Sequence, residues 1–160
     1  MPATTLPTVE DEASLFSLAS EYLEAAAILD AAPVLKVNVS LVTYYLIGHA
    51  AELLLKSFLH KKGIGLKDLT REYGHNLEKL AKAARSHGLS GTVPLDHIEG
   101  LSKHYNAKSI EYRQLIAAQY PPRDFLLAQV QALERQIFSH IAIFNNEILP
   151  FDQRTNSLPS

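Results

Sequence analysis

The sequence predicts an all-α fold, an up-and-down bundle of four long helices with one short helix in a connection. Apolar residues recur at helical spacing along most of the 160 residues. Glycine and proline clusters fall between the periodic segments, where connections are expected. Only residues 34–42 are rich enough in β-branched side chains to suggest a strand. The length of 160 residues and the 47% hydrophobic content predict one domain over 1–149. Residues 150–160 mix Pro, Ser, Thr, Asn and Gln, which predicts a flexible C-terminal tail.

The first two predicted helices are long. The first lies within residues 8–32, where a capping pattern precedes an apolar helical period, and Pro33 stops or bends it. The second covers about residues 36–62, and Gly63 and Gly65 are the glycines expected where a helix closes.

In the middle of the chain, the sequence pattern predicts shorter helical segments. Residues 66–73 form one or two helical turns within a connection. Asn76 is a candidate cap for the next helix, which ends near His87. A further helix starts after Pro94, is interrupted near Asn106, and continues through Ile110, Leu115 and Ile116.

The last predicted helix opens at Arg123 and Asp124, after an extended break imposed by Pro121 and Pro122. Its apolar residues form one stripe, and we expect a homodimer to form through it. The stripe consists of Leu126, Val130, Leu133, Ile137 and Ile141.

The second helix carries polar side chains within an otherwise apolar surface. At about 100° per residue, Tyr45, His49, Glu52 and Lys56 fall within an arc of roughly 60°. The rest of the circumference is apolar, which predicts a helix at the centre of the bundle. The next helix brings His75 towards this polar stripe.

Three interpretations fit the polar stripe. In the first, Glu52 and Lys56, spaced i and i+4, form an internal ion pair that offsets the cost of burying each charge. In the second, the stripe and His75 line a pocket for a phosphate, a nucleotide or a partner side chain. In the third, His49, Glu52 and His75 bind a metal, but no closed ligand set is visible, so we predict no metal and no cofactor.

The segment from Tyr44 to Ala84 contains YYLIGHAAELLLKSFL and, further on, Gly74-His75-Asn76-Leu77. This arrangement resembles the HEPN superfamily of small helical proteins over about the middle third of the chain. The resemblance implies a binding or interaction module, with a nucleotide or a nucleotidyltransferase as partner. A role in a toxin–antitoxin pair is the further expectation.

The resemblance also implies an alternative function. Many HEPN ribonucleases carry an arginine followed four to six residues later by a histidine, and Arg135 and His140 fit that spacing. These residues would support metal-independent cleavage of RNA, because a guanidinium can hold phosphate oxygens and an imidazole can transfer protons. Residues i and i+5 lie roughly 140° apart on a continuous helix. A shared site therefore requires an irregular helix or a second subunit. A structural homodimer without a ligand is the third alternative.

The net charge is −2, but positive charge is concentrated in residues 56–85. The loop cations Lys61, Lys62 and Arg71 are candidate contacts for a phosphate or for RNA. A solvated surface that balances the acidic first helix is the simpler interpretation.

The sequence contains no cysteine, which excludes disulfides and cysteine nucleophiles. Neither a secretory signal nor a membrane span is evident, so we expect a soluble cytoplasmic protein without a membrane partner.

Overall fold

The computed structural model describes residues 11–32, 40–106 and 120–142. These ranges contain six helices and no strand, which confirms the all-α class. The helices are α1 (Glu12–Ala31), α2 (Ser40–Lys61), α3 (Leu66–Tyr73), α4 (Leu77–Ser86), α5 (Asp96–Asn106) and α6 (Arg123–Ala142).

The helix ends follow the local sequence closely. The Asp11 side chain caps α1 by accepting a hydrogen bond from the Ser14 backbone N–H at 2.7 Å. Asn76 caps α4 in the same way, accepting from the Lys79 N–H at 3.0 Å. Gly63 has φ of 100°, a left-handed conformation that glycine adopts readily, and it lies two residues after Lys61, the last residue of α2. Short-range capping chemistry therefore defines these boundaries.

Two of the predicted boundaries lie outside the described residues. The predicted start of the second helix, at residues 36–39, is one of them, and α2 is described from Ser40 onward. The predicted continuation of the fourth helix through Ile110, Leu115 and Ile116 is the other. Of the described helices, three have 20 to 22 residues and three have 8 to 11. The count of four long helices therefore stays a prediction.

Side-chain contacts fix the directions of the long helices. Ser57 donates a hydrogen bond to the Glu12 carbonyl at 2.7 Å, so the end of α2 meets the start of α1. Arg123 pairs with Asp30 at 2.6 Å, so the start of α6 meets the end of α1. Helix α1 is thus antiparallel to both α2 and α6, and α2 runs in the same direction as α6.

Side chains from neighbouring helices cap the N-terminal ends of α5 and α4. The Gln129 side-chain oxygen on α6 accepts hydrogen bonds from the N–H groups of His97 and Ile98, both at 3.0 Å. The Ser102 hydroxyl on α5 accepts from the Glu78 N–H at 3.1 Å, at the start of α4. These bonds satisfy helix N-terminal N–H groups that have no partner within their own helix.

Helix α2 is the centre of the molecule, as predicted, because it contacts each of the other five described helices. Its fully buried side chains supply much of the core. They include Ile47, Leu54, Leu55, Phe58 and Leu59. Any polar group on α2 must therefore find a partner within the protein or reach the surface between helices.

The apolar stripe of α6 requires a correction. All five of its residues are fully buried within the single chain, where α6 packs against α1, α2 and α5. The stripe is part of the hydrophobic core of the single chain, because an amphipathic helix packs its apolar face against whichever apolar surface is available. A homodimer stays a prediction, but its interface would need other residues.

None of the described helices combines the length and the hydrophobicity that crossing a lipid bilayer requires.

A buried carboxylate with two histidines as candidate functional site

The carboxylate of Glu52 lies at the centre of the candidate site. Glu52 is 2% exposed, yet its two oxygens accept hydrogen bonds from three side chains. Lys56 donates at 2.7 Å, the Tyr105 hydroxyl at 2.6 Å, and His75 Nδ1 lies 3.0 and 3.1 Å from the two oxygens. We call these residues, together with His49, the Glu52 cluster.

Burial and hydrogen bonding act in opposite directions on Glu52. Burial is the largest single effect and would raise the pKa of the carboxyl. The donors Lys56, Tyr105 and His75 together outweigh burial and hold the pKa below its ordinary value. Glu52 is therefore an ionised carboxylate at neutral pH, and the predicted internal ion pair with Lys56 is present.

His75 reaches the carboxylate from the connection between α3 and α4. Gly74, at φ of 52°, turns the chain after α3, and the Asn76 cap starts α4 directly after His75. The His75 side chain remains 60% exposed although Nδ1 contacts the buried carboxylate. Because an ionised carboxylate can only accept hydrogen bonds, Nδ1 carries a proton. Nε2 lies on the opposite edge of the ring.

Tyr105 connects the carboxylate to His49, whose Nδ1 lies 3.0 Å from the hydroxyl. A hydroxyl has one proton, and Tyr105 donates it to Glu52. The proton between Tyr105 and His49 must therefore belong to His49 Nδ1. Burial is the main reason that the pKa of His49 is lowered, so the ring is neutral at neutral pH and Nε2 has an unprotonated lone pair.

Gly48 allows Tyr105 to approach α2. A Cβ atom at Gly48 would lie 2.8 Å from the Tyr105 ring, closer than packed atoms allow, and 3.2 Å from Leu101, which is a tight contact. The sequence pattern did not place Tyr105 beside the polar stripe, so its role in the cluster was missed. A glycine inside a strong helix was the available signal, since it often marks a close approach. That signal does not name the partner.

Two further tyrosines enclose the His49 ring. Tyr22 meets it edge-on, with ring centroids 4.5 Å apart, and Tyr45 stacks parallel to it at 5.8 Å. The Tyr45 side chain is 36% exposed, so one aromatic ring of the predicted stripe lies at the surface beside the cluster. The structure thus brings together Tyr45, His49, Glu52, Lys56 and His75, as the helical spacing and the position of His75 predicted.

The three predicted loop cations do not join the cluster. Lys61 pairs with Glu12 at 3.5 Å, and the Lys62 ammonium lies 5.3 Å from the centroid of the Phe58 ring. Arg71 is exposed and pairs with two acidic neighbours on α3, Asp68 and Glu72. These contacts are typical of a solvated surface, which was the simpler interpretation of the charge pattern.

Arg135 and His140 lie on α6, which is continuous from Arg123 to Ala142. Arg135 is exposed, whereas the His140 ring packs edge-on against Phe58 with centroids 5.2 Å apart. Within the described residues, no hydrogen bond or ion pair joins them. A continuous helix separates them by roughly 140°, so they do not face one site within a single chain.

Metal binding at the cluster has little geometric basis. Within residues 11–32, 40–106 and 120–142, no group of three His, Asp or Glu side chains is arranged to hold a metal ion. Glu52, the carboxylate member of the predicted ligand set, already accepts three donors that a metal would have to displace.

Comparison with known proteins adds no relative: no protein-family model, no curated protein and no solved structure matches this chain.

Proposed function

We propose that this chain is a HEPN-like binding module that takes a nucleotide at the Glu52 cluster and works as accessory to a nucleotidyltransferase partner. One observation carries the proposal. A buried, ionised carboxylate holds His75 directly and His49 through the Tyr105 hydroxyl, each by Nδ1, which leaves both Nε2 atoms on the opposite edges of their rings.

The chemistry of the cluster supports a phosphate-bearing ligand. Lys56 neutralises Glu52, and His75 adds a polar edge that is 60% exposed. An ammonium has three N–H donors, and phosphate oxygens accept hydrogen bonds from those that Lys56 does not give to Glu52. The exposed Tyr45 ring, stacked on His49, offers a planar surface on which a nucleobase can stack.

Calorimetric titration with AMP, ADP and ATP tests the proposal. We expect saturable binding, and we expect His75→Ala and Tyr45→Ala each to weaken it by about 10-fold, the effect of one lost polar contact or stacking partner. His75 and Tyr45 are suited to this test because both are partly exposed, so that truncation has little effect on folding.

Matched controls lie elsewhere on the surface. His87 is exposed and uses Nδ1 to bind the Ala83 carbonyl at 2.8 Å, and Phe125 is 60% exposed. His87→Ala and Phe125→Ala should leave the affinity unchanged. If no nucleotide binds to the folded protein, the structural homodimer without a ligand becomes the better interpretation, and light scattering would test it.

A metal-independent endoribonuclease of the toxin type is the second candidate. Burial lowers the pKa of His140, with a smaller effect of the Lys62 charge, which favours a neutral imidazole that can accept a proton. Arg135 is exposed, so a second subunit could approach it. Since both groups lie on one continuous helix, this activity requires a homodimer in which each composite site draws on both subunits.

Cleavage of single-stranded RNA in EDTA tests this candidate. Arg135→Ala and His140→Ala should each abolish cleavage, and a mixture of the two variants should recover part of it. Equal cleavage by wild type and both variants would indicate a contaminating nuclease, and the absence of cleavage would favour the binding module.

A further inference from the structure

Most of the His49 ring is already in contact with other groups. Nδ1 donates to Tyr105, the edge of Tyr22 contacts the ring, and Tyr45 stacks on it. The side chain nevertheless remains 22% exposed. The Nε2 edge is therefore the part of His49 that is suited to a ligand.

The hydrogen-bond chain from Glu52 through Tyr105 fixes what that edge can do. With Nδ1 as the donor and the ring neutral, Nε2 is a hydrogen-bond acceptor. Lys56, by contrast, can only donate. The cluster therefore presents a hydrogen-bond acceptor, His49, and a hydrogen-bond donor, Lys56, around one carboxylate. Lys56 Nζ lies 2.7 Å and His49 Nδ1 lies 3.8 Å from the Glu52 oxygens.

We propose that His49 Nε2 accepts a hydrogen bond from a ribose hydroxyl of the bound nucleotide, so that the Glu52 cluster selects ribonucleotides over deoxyribonucleotides. This inference rests on the proposed nucleotide binding. A ribose hydroxyl matches the site because it is a neutral O–H donor that lies close to the phosphate. The exocyclic amines of the bases are also donors, but AMP and its two deoxy forms carry the same amine, so only a contact to the ribose gives a preference among them.

Comparative titration with AMP, 2′-deoxy-AMP and 3′-deoxy-AMP tests the selectivity. We expect at least one deoxynucleotide to bind about 3- to 10-fold more weakly than AMP, the range for one neutral hydrogen bond. In His49→Phe, which keeps an aromatic ring between Tyr22 and Tyr45, all three should bind equally. His97→Phe, at the start of α5, should keep the wild-type preference.

Long-range ¹H–¹⁵N NMR of the wild-type protein tests the same inference without depending on a variant that folds. It should show His49 protonated at Nδ1 and bare at Nε2, whereas the opposite tautomer would overturn the inference. AMP binding without any preference over both deoxynucleotides would overturn it too, while leaving nucleotide binding intact. No binding of AMP by the folded protein would overturn the proposed function and this inference together.

Discussion

Glu52 and Glu134 are two carboxyl groups that packing has withdrawn from water, yet their pKa values shift in opposite directions. Glu52 accepts hydrogen bonds from Lys56, Tyr105 and His75, and its pKa is lowered. Glu134, on α6, accepts one from the Ser20 hydroxyl at 3.1 Å, and burial raises its pKa.

The difference shows that the number and charge of the donors, more than burial, decide the direction in which the pKa of a carboxyl group shifts here. Burial is the largest single effect on both residues and acts in the same direction. At Glu134, the Ser20 hydrogen bond and the Arg135 charge lower the pKa but do not offset burial. At Glu52 one ammonium, one phenol and one imidazole do offset it.

Removing the charge should have the largest effect at Glu52. Glu52→Gln leaves the Lys56 ammonium, whose side chain is 12% exposed, without its counter-charge. We expect a loss of about 3 kcal/mol in the free energy of unfolding, as measured by urea denaturation. Glu134→Gln keeps an oxygen for Ser20 and removes an unfavourable charge, so its effect should stay within about 1 kcal/mol. Equal losses in the two variants would contradict the comparison.

Removing a single hydrogen-bond donor should also destabilise the protein more at Glu52 than at Glu134, but by a smaller margin. Tyr105→Phe deletes the 2.6 Å hydrogen bond to the ionised Glu52, and we expect a cost of about 2 kcal/mol. Ser20→Ala deletes the 3.1 Å bond to Glu134 and should cost about 1 kcal/mol or less. Thermal unfolding monitored by circular dichroism at pH 7 measures both. A larger effect of Ser20→Ala than of Tyr105→Phe would contradict the comparison.

Replacing glycine by alanine tests the close approach of α5 to α2. Gly48→Ala places a methyl group 2.8 Å from the Tyr105 ring and should destabilise the protein by about 1 to 2 kcal/mol. Gly100→Ala is the matched control, because its methyl group would lie 3.5 Å from Pro121, an ordinary contact. Alanine also has the higher helix propensity, so Gly100→Ala should be neutral or slightly stabilising in the same denaturation assay.

The smallest expected effects concern pH: the stability contributions of Glu52 and Glu134 should depend on pH in opposite directions. The pKa of Glu52 is lowered on folding, so its contribution to stability is present above the unfolded value of about 4.5 and is lost as the pH falls through the folded pKa. The pKa of Glu134 is raised, so its contribution is full below that value and is lost as the pH rises through the folded pKa.

Urea denaturation of wild type, Glu52→Gln and Glu134→Gln between pH 3 and pH 7 separates the two contributions. Relative to wild type, the Glu52→Gln deficit should shrink towards low pH. Glu134→Gln should gain relative to wild type as the pH rises. Parallel curves for all three proteins would show that neither carboxyl group changes its pKa on folding.

Local interactions explain how much of the fold the sequence could predict. The bounds of α3 and α4 depend on Gly74, on Asn76 and on the apolar period of each helix. All of these involve residues only a few positions apart in the sequence. The Glu52 and Lys56 pair is equally local, since i and i+4 meet on any helix. The prediction that α6 presents its stripe to a second subunit was wrong because amphipathicity does not name the surface that covers it.

The sequence by itself therefore determined the helices, the polar stripe of α2 and the approach of His75, because helical geometry and capping are properties of neighbouring residues. Only the tertiary structure decided that Tyr105, 53 residues after Glu52, donates to its carboxylate and thereby sets the tautomer of His49. The helical pattern indicates which side of α5 is buried. Which side chains of α2 that side contacts depends on how α5 packs on α2 at Gly48. That packing is a property of the whole core, which no local pattern contains.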